Sequence, residues 1–234
     1  MSDEETFLRA ICADPDDDTP RLVFADWLDE QGGVRNEQWA ELIRVQVQLG
    51  RNPGADRGRL EARDAELELE VVYGWPSRIG VPHPLAEKLA WGNWWRGFPL
   101  SVSGFGGDIV AARPHFVGLV PVRELVFQGV SDDHVREVVT WPELELVRKL
   151  DVWTTAAPLS EAAFVALCGC EHLCNLQRLK IQWVQYTDAG AEAFLDSPYL
   201  RSLVSVHIVG YGFGNLDEEL QQRLQGRWDR WNVR

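Results

Sequence analysis

Over the second half of the chain, apolar and polar residues alternate in five short stretches. Their apolar positions are Leu100 and Val102, Leu125 and Phe127, Leu150 and Val152, Leu179 and Ile181, and Val206 and Ile208. A period of two is that of a β-strand with one face turned inward. The residues between them then form two outward rows across a parallel sheet: Ser101, Val126, Asp151, Lys180 and His207, and Ser103, Gln128, Trp153, Gln182 and Val209. After the strands the period lengthens to that of a helix. Three helices start at Ser131-Asp132, Ser160-Glu161 and Thr187-Asp188, each a hydroxyl N-cap followed by an acid in the first turn. Aligned on these caps, Val138, Leu167 and Phe194 coincide, and so do Leu144, Leu173 and Leu200. The first half carries helical patterning throughout. Ser2 caps a helix with Phe7, Leu8 and Ile11 on its apolar stripe, which Asp14-Pro15 ends. Thr19-Pro20 starts a second, running to Gly32-Gly33, with Leu22, Val23 and Trp27 as its foremost buried candidates and Phe24 and Leu28 next. A third, from Glu37 to Leu49, sets Trp39, Leu42, Ile43 and Gln46 on one face before Asn52-Pro53-Gly54. A fourth, from Asp56 to Tyr73, presents Leu60, Leu67, Val71 and Val72, and the four read as a small bundle.

The strand starts lie 25, 25, 29 and 27 residues apart. A fixed period of roughly 20–29 residues with L-x-L strands is the pattern of a leucine-rich repeat, whose units bury a core only by stacking. The expected fold is therefore α/β: a leucine-rich-repeat solenoid with a parallel sheet over residues 98–234, preceded by an α-helical module over residues 1–74. Between them, residues 75–97 read as a loop marked by Trp75-Pro76 and Pro82-His83-Pro84, then the run AWGNWWRGF. Those aromatics are expected to cap the end of the repeats; the alternative is an aromatic ligand pocket with Arg96. Leu216, Leu220 and Leu224 suggest a closing helix, and Trp228 and Trp231 a cover at the far end.

Two stretches resemble known families. DPDDDTPRLVFADWLDEQG followed by AELIRVQ is similar to the bacterial repeat-companion domain, through Asp14-Pro15, Asp17, Arg21-Leu22, Ala25-Asp26-Trp27-Leu28, Gly32 and Ile43-Arg44-Val45-Gln46. The resemblance spans about residues 5–50, and Arg96-Gly97-Phe98 resembles the start of that family's repeats. The link from Gly32 to Glu41 is a few residues longer than the family's usual turn. TDAGAEAFLDSPYLRSL resembles the ribonuclease-inhibitor type of leucine-rich repeat, over about residues 121–225. The first resemblance implies helices paired with degenerate repeats and brings no catalytic residues; the second implies a helix on the convex side of each repeat.

Charge narrows the partners. The formal net charge is −13, of which residues 1–74 hold −10. Such a chain is repelled by phosphate backbones, so no nucleic-acid partner is expected. No apolar run reaches the ~20 residues that span a bilayer, and MSDEETF lacks an apolar signal region, so no membrane partner is expected either. Four cysteines, three of them between positions 168 and 174, do not suggest a disulfide framework. The expected compartment is the cytoplasm.

Two clusters bear on chemistry. Cys168, Cys170, His172 and Cys174 offer four zinc-compatible side chains, but repeat alignment sets Cys168 on the core position of Val139 and Leu195, and the spacing lacks the two-knuckle form of structural zinc sites. Asp14, Asp16, Asp17 and Asp18 resemble a calcium loop, but Thr19 and Ala25 stand where such a loop wants Gly and Glu. No P-loop, G-x-S-x-G or H-E-x-x-H occurs, and the five histidines are scattered. The expectation is a non-catalytic protein–protein interaction scaffold or adaptor, with no cofactor. Its binding residues are Gln128, Asp151, Trp153, Lys180, Gln182 and His207 on the outward face. A metal-binding sensor or enzyme built around Cys168–Cys174 is the alternative. Two further readings stand beside these: a sheet face that is simply solvated, and docking by the acidic N-terminal helices in place of the repeats.

Overall fold

A computed structural model describes residues 2–51, 54–185, 187–211, 216–227 and 231–233, the last stretch and Tyr211 by backbone alone. The chain forms two compact units, one of Met1–Glu87, Trp91–Ser101 and Ala112–Pro121, the other of Lys88–Ala90, Val102–Ala111 and Val122–Arg234. Residues 75–87 and 91–97 thus fall in the first unit together with the helices.

In the first unit, α1 (Asp3–Ala13), α2 (Thr19–Gln31), α3 (Val34–Gly50) and α4 (Arg57–Arg78) pack in sequence, α2 on α1 and α3, and α3 on α4. Ser2 caps α1 as expected, its Oγ accepting from Glu5 N at 3.2 Å. In α2 the buried face is Arg21, Phe24, Ala25 and Leu28, while Leu22 and Trp27 are half-buried and Val23 is 49% exposed. The expected phase is off by one position because a cation occupies a core site. Arg21 is 1% exposed, donates from Nη1 to Asp17 O at 2.9 Å, and lies 5.7 Å from the Phe98 ring. A charge at a core position is stable only when so partnered. Helix α4 also runs through Trp75-Pro76 instead of stopping before a loop. Pro76 sits in the last turn, where only one ladder bond is lost, and Trp75, 1% exposed, anchors that turn in the core.

The aromatic run makes strand β1 (Ala90–Trp95) and the start of β2 (Phe98–Phe105), joined by a two-residue turn with Arg96 at φ 52° and Gly97 at φ 84°. Positive φ at both central residues is the type I′ geometry of a tight hairpin. Gly97 is required there twice over, since a Cβ would lie 2.2 Å from Ile43 Cγ1. Its N–H donates to Gln46 Oε1 and its carbonyl accepts from Trp39 Nε1, both at 2.7 Å. Arg96 meets the acidic loop, Nη1 lying 3.1 Å from Asp18 Oδ1 and donating to Asp16 O at 2.6 Å. Of the residues behind the repeat-companion resemblance, Arg21, Ile43, Gln46, Gly97 and Phe98 thereby share one core, with Asp17 and Arg96 tied to its edge. Around it Phe24, Trp39, Trp75 and Phe98 meet edge to face at centroid distances of 4.9 to 6.0 Å.

The second unit is α/β. The end of β2, then β3 (Glu124–Gln128), β4 (Lys149–Trp153), β5 (Arg178–Gln185), β6 (Ser205–Tyr211) and β7 (Trp231–Val233), lie side by side in chain order. Pairing from β3 to β7 is parallel. The register aligns Leu125, Leu150, Leu179 and Val206, as the spacing predicts. All four are at most 4% exposed, and so are Phe127, Val152, Ile181 and Ile208. Leu100, in the first unit, is only half-buried. Helices α6 (Asp132–Val138), α7 (Glu161–Cys168), α8 (Asp188–Asp196) and α9 (Glu218–Arg227) pack each on the next. They add Val135, Val138, Phe164, Leu167, Phe194, Leu220 and Leu224 to the core. Leu144, Leu173 and Leu200 sit buried in equivalent 3-10 turns. Helix α5 (Gly106–Phe116) follows β2. Trp228 lies outside the described residues, as does the Trp231 side chain.

Successive strand–helix modules are tied by repeated hydrogen bonds. The acid after each N-cap reaches the next module: Asp132 Oδ1 accepts from Ser160 N at 3.0 Å, Glu161 Oε1 from Thr187 N at 2.7 Å, and Asp188 Oδ1 from Asp217 N at 3.1 Å. At the strand starts, Arg123 O accepts from Lys149 N, Arg148 O from Arg178 N and Gln177 O from Ser205 N, at 2.9 to 3.1 Å.

Candidate functional site

The outward face of β3 to β6 assembles from alternation. With every second side chain in the core, the others share the opposite face. Register places Val126 beside Asp151, Asp151 beside Lys180, and Lys180 beside His207. One step on, Trp153 lies beside Gln182, and Gln182 beside Val209. Gln128 is exposed at the end of β3. The six expected binding residues therefore lie on one face within one unit. Ser101 falls in the other unit.

Trp153 is 37% exposed. The Lys180 ammonium sits over its ring, 4.5 Å from the centroid, a cation–π contact. Lys180 is therefore spent on Trp153, whereas Asp151 makes its ion pair along its own strand, with Lys149 at 3.7 Å. Lys149 also reaches Glu124 at 3.5 Å. The Asp151 side chain is 13% exposed. Burial pushes its carboxyl above the usual aspartate range; Lys149 and Lys180 oppose that, and Glu124 adds to it. The face is thus a ridge of one indole and mixed charge, able to bind through apolar contact and oriented ion pairs.

Strand ends add aromatics that alternation alone conceals. Trp183, two positions beyond the inward Ile181, is 44% exposed. It occupies a bulge with φ 63°, and the register shifts between Gln182 and Val184. Leu159 of the β4–α7 loop fills the gap, donating to Trp183 O at 2.9 Å and accepting from Gln185 N at 2.8 Å. Phe105, at the end of β2, is 55% exposed. The clue in the sequence is the uneven distance from strand to helix cap, the place where an inserted residue is absorbed.

The cysteine cluster is built differently from a ligand set. Cys168 and Cys170 are buried, and burial lifts the Cys168 thiol to about 12 and that of Cys170 above its ordinary value. A thiol so shifted stays protonated at neutral pH and is a weak metal ligand and nucleophile. Cys170 Sγ donates to Val139 O at 3.3 Å, and Ser197 Oγ makes the matching bond to Cys168 O one module later at 2.6 Å. His172 Nδ1 lies 3.3 Å from Glu145 Oε1. Among the described residues no three potential ligands converge. The acidic loop is likewise occupied internally: Asp17 Oδ1 accepts from Thr19 N, and Asp18 pairs with Arg51, both at 2.8 Å. Among the described residues, no helix is long and apolar enough to cross a membrane. No family model and no curated protein matches the chain.

Proposed function

We propose that this chain is a non-catalytic adaptor that recognises a protein partner through the outward face of β3 to β6. In this reading the second unit is a degenerate leucine-rich-repeat solenoid, and the first a repeat-companion module, working in the cytoplasm. Support for the repeats comes from period, register and the acid and carbonyl ties between modules; the sheet itself is not curled. The observation that carries the functional reading is Trp153. An indole on the solvated side of a parallel sheet does nothing for the core beneath it, yet it is held in place by Lys180 at 4.5 Å. Trp is the residue type most enriched among those that dominate binding energy. Asp151, nearly buried and raised in pKa, supplies a charge whose stability cost a partner cation would offset. The acidity of the chain sets nucleic acid aside.

The test is site-specific photo-crosslinking in the cell of origin. A benzophenone side chain in place of Gln182, beside Trp153, is expected to capture a defined protein, and the added substitution Trp153→Ala to abolish that capture. The same probe in place of Glu192 on α8 serves as control. Equal capture at both positions, or capture indifferent to Trp153→Ala, overturns the assignment.

A further inference from the structure

Helix α4 carries two apolar stripes, and only one of them faces the core. At about 3.6 residues per turn, Leu60, Leu67, Val71 and Trp75 share one side. Leu60 and Leu67 pack with Leu42 and Val45 of α3, and Val71 lies against that cluster. Ala62, Ala65, Leu69, Val72 and Pro76, spaced three, four, three and four residues apart, run along the opposite side, with Tyr73 beside them. Ala62 and Ala65 are exposed, Leu69 and Tyr73 are 77% and 95% exposed, and Val72 and Pro76 are half-buried. Alternating steps of three and four are those of a seam that packs on a second helix. A single exposed leucine is ordinary, but a continuous apolar seam turned away from the core marks a protein-interaction surface.

Charge decides which helix fits. By the helical period Glu61 and Glu68 border the seam on one side, Glu66 and Glu70 on the other. The arginines of α4 are committed: Arg57 to Glu61 at 3.3 Å, Arg59 to Asp56 at 3.6 Å, Arg63 to Glu41 at 2.6 Å and Glu66 at 2.9 Å, and Arg78 to Glu4 at 2.8 Å. Glu68 and Glu70 have no ion-pair partner among the described residues. Arg35 of α3 lines a groove with Glu70, but among the described residues the two do not pair. Burial raises the Glu68 carboxyl above its ordinary value, and Asp64 adds to it, so a cation from outside would ease that charge. A second copy of the chain would instead set acid against acid along the whole seam, in a stretch, residues 1–74, of net charge −10. We infer that the outer face of α4 docks a basic amphipathic helix of another protein, its apolar residues on Leu69, Val72 and Tyr73 and its lysines or arginines opposite Glu68 and Glu70. The site lies in the helical unit and does not depend on the sheet face.

The probes are a synthetic heptad peptide with leucine at a and d and lysine at e and g, and the same peptide with glutamate at e and g. Each is titrated into the full chain by calorimetry. The lysine peptide is expected to bind saturably and about tenfold more tightly than the glutamate peptide, since charges flanking a helical seam select its partner. Leu69→Ser combined with Tyr73→Ser should weaken the lysine peptide by about tenfold or more and keep the unfolding midpoint, because both side chains stand in solvent. Val23→Ser, which removes a 49% exposed side chain from α2 of the same acidic unit, should leave binding unchanged. Glu68→Lys combined with Glu70→Lys should turn the preference toward the glutamate peptide. Absence of saturable binding, equal binding of the two peptides, or a preference unmoved by the charge reversal overturns the inference. So does undiminished binding to the Leu69→Ser, Tyr73→Ser variant, or an equal loss in Val23→Ser. A fall in the midpoint of the double serine variant would place the seam in the core and overturn it too. A dimer of the unaltered chain in sedimentation, dispersed by the same two substitutions, would give the face to a second copy instead.

Discussion

At Asp151 the fold keeps a carboxylate largely out of water, with its side chain 13% exposed and one lysine at 3.7 Å. Burial raises its pKa, with Lys149 and Lys180 pulling the other way. The sign of the linkage follows. A native carboxyl with a raised pKa holds its proton longer than in the unfolded chain, so stability declines as pH rises from the ordinary aspartate range, ~4, through the native value. Asp151→Asn is therefore expected to leave the unfolding midpoint at pH 7 unchanged or higher, and to flatten that decline; a lowered midpoint would show the charge to be stabilising. Under the proposed function the same variant binds the partner more weakly. Gly97 illustrates the opposite kind of residue, wholly structural. Gly97→Ala incurs roughly 1–2 kcal/mol for left-handed backbone and ~1–3 kcal/mol for overpacking against Ile43. Its midpoint should drop sharply, and an unchanged midpoint would contradict the turn geometry.

Elements show where the sequence was legible. Strand phase and register from β3 to β6 follow from alternation, because leucine and valine at period two leave one solution. The N-caps Ser131, Ser160 and Thr187 are equally plain. Helix α2 is misphased from sequence because Arg21 reads as surface while the fold buries it. Helix α4 outruns its expected end because Trp75 offers more burial than Pro76 costs. Trp183 is lost to alternation because a bulge resets the count. The acids after the caps were legible as partners of the helix dipole but not as ties to the next module, since that depends on a residue 26 to 29 positions away. Glu161 takes three such donors, from Thr187 N, Thr187 Oγ1 and Gly190 N. These bonds, led by the Thr187 hydroxyl, hold its carboxyl below the usual range. A depressed native pKa stabilises above the unfolded value, ~4.3, and that contribution is lost as pH falls through the native one. Glu161→Gln should cost ~0.5–1 kcal/mol at pH 7, since solvent screens the exposed carboxylate and the amide keeps one acceptor oxygen, with the difference from the parent chain vanishing in acid; a difference independent of pH would show a loss of packing instead.

For the molecule as a whole, a buried core holds the modules together, and under the proposed function the outward face of β3 to β6 recognises the partner. Leu179→Ala, at a core position 4% exposed, should lower stability by ~2–5 kcal/mol. The candidate face was legible as far as alternation reaches: all six expected residues share it, while the Lys180–Trp153 contact and the Lys149 ion pairs depend on side-chain geometry that no spacing encodes. The most direct measurement is partner affinity set beside thermal unfolding for Trp153→Ala, once crosslinking has supplied the partner. The account predicts a binding loss of ~2 kcal/mol or more with the unfolding midpoint kept within a few degrees. A variant that folds and binds as tightly as the parent chain would contradict it.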